Sequence, residues 1–114
     1  MGPLERWSIE AGERGVARLD IPPHATRERC FEVSVRFVVR PGAGASPGMG
    51  LRVLFDGSQQ WARRIAIEHG GDDSLDWRKR HTVPVGQPLR IQAIGDLTHA
   101  LRLSLHVGAE EVEP

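Results

Sequence analysis

The chain has 114 residues, with 15 basic and 15 acidic side chains that cancel at neutral pH, and one cysteine, Cys30. That length suits one domain with one core and is too short for two; the charge balance supplies no long-range field to recruit nucleic acid or an anionic membrane; and a lone cysteine excludes an internal disulfide. No run nears the roughly 18 consecutive apolar residues of a membrane helix, and the opening MGPLERWSIEAGERG lacks the apolar stretch of a signal peptide, so a single soluble cytoplasmic domain over residues 1–114 is expected.

Period-two alternation, the mark of half-buried strands, recurs along the chain. Trp7 and Ile9 start a short strand, and VARLDIPP sets Ala17, Leu19 and Ile21 on one face before Pro22-Pro23 stops pairing. CFEVSVRFVVR is a long strand with Phe31, Val33, Val35, Phe37 and Val39 on its apolar face and Glu32, Ser34 and Arg36 on a wet one. The Gly/Pro/Ser-rich stretch that follows reads as a mobile loop over residues 41–50. GLRVLFDG aligns Leu51, Val53 and Phe55 and ends on Asp56-Gly57, residues that tolerate the positive φ of a hairpin, with a turn running on to Gln60. WARRIAIEHGG then gives Trp61, Ile65 and Ile67, QPLRIQAIG gives Leu89, Ile91 and Ala93, and ALRLSLHVG gives Leu101, Leu103, Leu105 and Val107. Residues 108–114 read as an acidic, frayed tail.

No segment sustains a helical apolar period, so the fold is all-β. Seven to eight short strands with one apolar face each bury those faces most simply as a two-sheet antiparallel β-sandwich, jelly-roll-like.

Motifs that would carry chemistry fail on context. Gly44-Ala45-Ser46-Pro47-Gly48 matches the nucleophile-elbow pattern, yet no helix follows, and Pro47 has no N–H to offer an oxyanion. The same glycines lead into a strand and so do not cradle phosphate. His24, His69, His81, His99 and His106 lack metal-binding spacing, and no cofactor is expected. Glu68, Asp72, Asp73 and Asp76 around Gly70-Gly71 are oxygen-rich enough for calcium but depart from the EF-hand order, and Asp/Gly loops are common as plain turns. Arg36, Arg52, Arg64, Arg90 and Arg102 decorate outward strand positions; without exposed aromatics between them they read as a solvated face paired with Glu32 and Glu68, which disfavours nucleic acid. Carboxylates such as Glu32 and Glu68 could do acid-base work only in a pocket, and both fall on wet faces, so an enzyme is a third reading. Cys30 reads as a structural thiol.

The stretch DDSLDWRKRH carries a conflict. If Leu75, Trp77, Val83 and Val85 face inward, so do Lys79 and His81, and an unpaired charge cannot sit in a core. Either this is an edge strand with an inward charge that blocks aggregation or a bulge re-aims the later residues; in both cases Trp77 stands where core meets rim. Trp61 shares its parity with Arg63 and follows Gln59-Gln60. The two tryptophans either close the ends of a small core, the commoner role for a Trp in a small domain, or form stacking platforms with Asp76, Arg78, Arg80, His81, Gln59 and Gln60 as hydrogen-bonding partners.

The order FEVSVRFVV, GLRVLFDG, DWRKRHTVPV, GQPLRIQAIG and LRLSLHV resembles the strand pattern of small jelly-roll modules of the galactose-binding-like and carbohydrate-binding type, over roughly residues 31–107. The resemblance implies a non-catalytic module that binds a glycan or other small polar ligand through loops at one end of the sandwich, often with a structural calcium. The alternative is a structural or protein-interaction domain that pairs an edge strand with a protein partner or with its own copy.

Overall fold

Among the described residues eight strands form where the alternation places them: β1 (Arg6–Glu10), β2 (Val16–Ile21), β3 (Arg29–Pro41), β4 (Gly48–Phe55), β5 (Ser58–Ala66), β6 (Asp73–Val83), β7 (Leu89–Thr98) and β8 (Ala100–Val112). The structure is a computed structural model and describes residues 4–11, 14–68 and 71–113. Among the described residues no helix is long and apolar enough to cross a membrane. All pairings are antiparallel, in two sheets ordered β1-β8-β3-β6 and β2-β7-β4-β5. The chain is thus folded as nested pairs, β1 with β8, β2 with β7, β3 with β6, and β4 with β5 at the innermost hairpin. This is the eight-stranded double-sheet jelly-roll arrangement.

The inner faces of both sheets make one core. Phe31, Val33, Val35, Phe37 and Val39 of β3 face Met49, Leu51, Val53 and Phe55 of β4 and Ile91 and Ala93 of β7, all buried. Burial of each large side chain of this kind is worth about 1.5–3 kcal/mol, which makes the alternation of β3 and β4 the main determinant of the fold. The β4–β5 hairpin turns on Asp56 (φ 50°) and Gly57 (φ 83°), the two consecutive left-handed residues of a tight hairpin.

Several connections are shorter than composition suggests. Strand β3 runs to Pro41 and β4 begins at Gly48, with Met49 fully buried, so the Gly-rich connection is Gly42–Pro47. It is tied down by hydrogen bonds from Gly42 N to His99 O (2.9 Å) and from Ile67 N to Pro47 O (2.9 Å), and the His99 ring lies with Nδ1 2.6 Å from Ala45 O. Strand β5 starts at Ser58, directly after Gly57, so Gln59 and Gln60 are strand residues and not turn residues. Nor do the acidic residues after Gly108 form a tail. β8 continues to Val112 between β1 and β3, and Glu111 is buried because Arg27 pairs with it and the Glu5 N–H donates to it (3.1 Å).

One bulge reverses an expectation. Between Val38↔Ser104 and Val39↔Arg102 the β3–β8 register shifts, and Leu103 has no partner. Because side-chain direction has period two, one extra residue turns the start of β8 over. Leu101 and Leu103 are exposed instead of buried, and Arg102, expected outward, comes to lie 6.0 Å over the Phe37 ring.

Candidate functional site

The two sheets are not hydrogen-bonded to each other between their edge strands β5 and β6, which leaves the sandwich open along that side, and Trp61 of β5 and Trp77 of β6 meet across it. The β3–β6 register is unbroken from Arg29↔Val83 to Val39↔Asp73, so no bulge re-aims β6. Leu75, Trp77, Lys79, His81 and Val83 therefore share the inner face, as parity requires. Leu75 and Val83 are buried, Trp77 and His81 half-buried, and Lys79 exposed. The inward charge is tolerated because it stands at an edge open to solvent. Val85 is the exception to the expected pattern: β6 ends before it, and it is exposed.

On β5 the register shifts between Val53↔Trp61 and Leu54↔Gln59, leaving Gln60 as the bulged residue. The bulge separates Gln59 from Trp61: Gln59 follows Leu54 to the outer face and is exposed, while Gln60 turns in toward the opening. Gln60 Oε1 accepts a 2.9 Å hydrogen bond from Lys79 Nζ, and its amide donates to Ser58 O at 3.1 Å. Trp61 and Trp77 stack at 6.3 Å between centroids and 24° between planes. Trp77 and His81 each set an edge against Phe55, at 5.8 Å and 4.8 Å, so Trp77 is held between Phe55 and Trp61. Burial and the neighbouring Lys79 charge push the His81 imidazole below its ordinary pKa, against a smaller opposing pull from Asp56. Arg63, two residues beyond Trp61 on the same inner parity, is exposed.

The expected ligand-binding residues therefore divide between two faces. Trp61, Trp77, His81 and Gln60 meet at the opening, whereas Asp76, Arg78 and Arg80 project from the outer face of the β1-β8-β3-β6 sheet. That outer face carries a shallow depression of about 370 Å³ floored by Ser8, Ser34 and Gly108. Much of its charge is paired: Arg6 with Glu110 (2.9 Å), Arg36 with Asp76 (3.5 Å) and Arg78 with Glu32 (3.6 Å), while the His106 ring stands 3.3 Å from Glu10 and Arg80 has no ion pair among the described residues. Rows of opposite charge across exposed strands account for themselves as sheet pairing. Lys79 and Arg63 were legible as parity conflicts, but sequence does not show that their two strands face each other.

The carboxylates of the β5–β6 connection do not converge. Asp72 pairs with Arg40 (3.2 Å), Asp73 accepts from Ser74 N (2.8 Å), Asp76 lies with Arg36, and Glu68 is exposed; His69 and Gly70 lie outside the described residues. Among the described residues no three His, Cys, Asp or Glu side chains are grouped to hold a metal. His24 has a local role, its Nδ1 accepting from Thr26 N (3.2 Å) and Arg27 N (3.1 Å) in the β2–β3 connection. Cys30 is half-buried and unbonded to any other cysteine.

At the opposite edge Trp7 is satisfied internally, its indole N–H donating to Glu5 at 3.0 Å. Glu5 also pairs with Arg27 (3.0 Å) and with the buried Arg29 (2.8 Å). Burial alone would raise the Glu5 carboxyl, but the hydrogen bonds from Trp7 and Arg29 and the charges of Arg29 and Arg27 hold it below its ordinary pKa. This cluster closes the end of the sandwich where β1 begins and β8 ends.

No family model and no curated protein matches the chain. Among solved structures it is similar to dimeric latent PorU from Porphyromonas gingivalis, with a TM-score of 0.52 and 9% identity over 95% of this chain and 13% of that one. A weaker likeness, at a TM-score of 0.43 and 12% identity, is to a structure of the infectious bursal disease virus Gt strain, covering 94% of this chain and 31% of that one. The chain spans a small part of either protein, and at such identity the likeness to PorU is one of fold alone, the all-β antiparallel sandwich.

Proposed function

We propose that the protein is a non-enzymatic binding module for a glycan or other small polar ligand, and that the ligand docks at the lateral opening between β5 and β6. The observation that carries this reading is the half-buried Trp61, stacked on Trp77 at 6.3 Å and bordered by the Lys79–Gln60 pair (2.9 Å). An aromatic face beside fixed donors and acceptors suits a sugar, whose C–H face packs on indole while its hydroxyls hydrogen-bond at the rim. Trp77 backs the platform and does not itself offer a free face on both sides. Of the residues anticipated from sequence, Trp61, Gln60 and His81 remain contact groups, with Lys79 added.

The test is a ¹H–¹⁵N correlation titration of the labelled chain with pooled neutral mono- and oligosaccharides, with and without calcium, following the indole N–H signals of Trp7, Trp61 and Trp77. Saturable shifts at Trp61 and at the Gln60 and Lys79 amides, with Trp7 unmoved, are expected. Silence at Trp61 against every saccharide would refute the reading.

A second reading, association through a sheet edge, finds support elsewhere. The β5 and β6 edges carry the usual guards against pairing, a bulge at Gln60 and the cations Arg78, Lys79 and Arg80. On β8, by contrast, Leu101 and Leu103 are exposed, and the pairing with β1 extends only to His106. Sedimentation at rising concentration checks it: association abolished by Leu103→Lys supports this edge, and a monomer throughout removes self-pairing.

A further inference from the structure

The formal charge of the chain is zero, yet the charges are unevenly settled. On the outer faces most cations find carboxylates, with Arg52 and Arg80 as exceptions: Arg90 and Arg18 share Asp20 (2.9 and 3.0 Å), Arg64 pairs with Asp96, and Arg6, Arg36 and Arg78 have the partners given above. At the opening they do not. Among the described residues neither Lys79 nor Arg63 forms an ion pair, although both lie on the inner parity of their strands. Of the carboxylates on this side, Asp56 acts on His81, Asp73, at the far end of β6, is engaged by Ser74 N at 2.8 Å, and Asp96, which lines a depression with Arg63, is paired with Arg64.

An inward lysine on an edge strand is explained in part as a guard against pairing, but that explanation needs one charge on one strand. Here a second cation, Arg63, stands on the facing strand, and the two lie on either side of Trp61 along β5: Lys79 is bonded to residue 60, and Arg63 is residue 63. Lys79 is also held in place by Gln60, a neutral acceptor that fixes the ammonium without cancelling its charge. A positioned, uncompensated cation beside an aromatic platform favours an anionic ligand group, because the ordering cost is already met in the free protein.

We infer that the ligand of the opening is an acidic oligosaccharide, one ring of which lies on Trp61 while carboxylates on either side of that ring are taken by Lys79 and Arg63. This rests on the reading of the opening as a saccharide site. Arg63 supplies the planar fork that matches a carboxylate, and Lys79 a point charge. A neutral sugar would use the same platform and leave both cations uncompensated, so it binds more weakly. A sulfate ester would satisfy the same cations, and only the experiment's arms separate it from a carboxylate.

The full chain is titrated with oligogalacturonate, with its fully methyl-esterified neutral form, and with a sulfated neutral oligosaccharide of equal length, reading the Trp61 indole N–H. The acid is expected to bind about tenfold or more tightly than the ester, a difference of about 1.4 kcal/mol. Lys79→Gln and Arg63→Gln, both at exposed positions, are each expected to bring the acid down toward the ester, lowering the acid's affinity more than the ester's. Arg52→Gln, an exposed arginine on the outer face of the other sheet, controls for general charge and is expected to change nothing. Equal affinity for acid and ester overturns the inference and leaves a neutral saccharide site standing. Tighter binding of the sulfated ligand, lost in the same two variants, overturns the carboxylate assignment in favour of sulfate. No binding of any of the three removes the saccharide reading and this inference with it.

Discussion

Arg29 gives the sharpest test of what holds the closed end of the sandwich together. Its side chain is 1% exposed, and its guanidinium is answered by Glu5 Oε1 (2.8 Å), by the carbonyl of Pro22 (2.9 Å) and by the Phe31 ring at 5.3 Å, while Nε has no acceptor among the described residues. Glu5→Gln removes the charge that faces this buried cation and weakens the hold on Arg27 as well. Breaking one partner of a buried ion pair costs about 3–5 kcal/mol. Because the Glu5 side chain is 21% exposed and water reaches it, the lower end, about 3 kcal/mol, is expected. Arg29→Met together with Glu5→Leu replaces both charges by apolar groups and should recover most of that loss, since desolvation of the pair disappears with it. Urea unfolding of the wild type, Glu5→Leu, Arg29→Met and the double variant closes the cycle, with Glu5→Gln measured alongside. A cost below about 1 kcal/mol for Glu5→Gln, with no coupling to Arg29→Met, would show that water already screens the cluster and would refute the argument.

Two further predictions concern packing and pH. A Cβ built on Gly95 would meet the Phe37 ring at 2.7 Å, in a core where neither can move, whereas at Gly108 it would meet the Ser34 hydroxyl at 3.2 Å, which can rotate away. Gly95→Ala should therefore cost about 2 kcal/mol as overpacking and Gly108→Ala well under 1 kcal/mol, both read from urea midpoints, with Phe37→Leu partly rescuing the first. His81 is held below its ordinary value of 6.5, so the unfolded chain takes up its proton more readily than the folded one. Its contribution is complete above about pH 6.5 and is lost as pH falls from there through the folded value. Glu5, lowered from 4.5, acts in a separate window below that value, so a stability profile between about pH 5 and pH 7.5 should flatten in His81→Gln and keep its shape in Glu5→Gln. An unchanged slope in His81→Gln would mean that the imidazole is not desolvated.

Parity made most of the fold legible, because each core strand alternates without interruption: β2, β3, β4 and β7 bury the residues that the pattern selects. The failures fall where one extra residue enters a strand. The bulges at Gln60 and Leu103 have no compositional mark, yet each reverses every side chain on one side of it, moving Gln59 away from the opening and Arg102 onto the Phe37 ring. The burial of Glu111 was hidden for another reason. Its partner Arg27 lies 84 residues away, and a run of acidic residues at the end of a chain reads as solvated unless that partner is known. The same limit split the candidate site: alternation shows that Asp76, Arg78 and Arg80 oppose Trp77 and His81 on β6, but only the sheet order brings Trp61 and Gln60 of β5 to them.

The two tryptophans of the opening have unequal duties, and this decides how the site must be tested. Trp77 touches Phe55 at 5.8 Å and Trp61 at 6.3 Å, and in register it stands against Val35, which is 1% exposed. Its removal leaves a cavity against the core, and large-to-small changes of a buried aromatic cost about 3–5 kcal/mol, less here because Trp77 is only half-buried. Among the described rings Trp61 stacks on Trp77 alone, from an edge strand where the backbone is already bulged. Its replacement by alanine removes one aromatic pair, worth about 0.5–1.5 kcal/mol beyond area, together with partly solvated surface. Trp61→Ala should therefore stay folded with a small shift in urea midpoint and lose the ligand, while Trp77→Ala should lose stability first and binding as a consequence. If Trp61→Ala proves the more destabilising of the two, Trp61 is a core residue, the opening is closed in solution, and no ligand platform exists there.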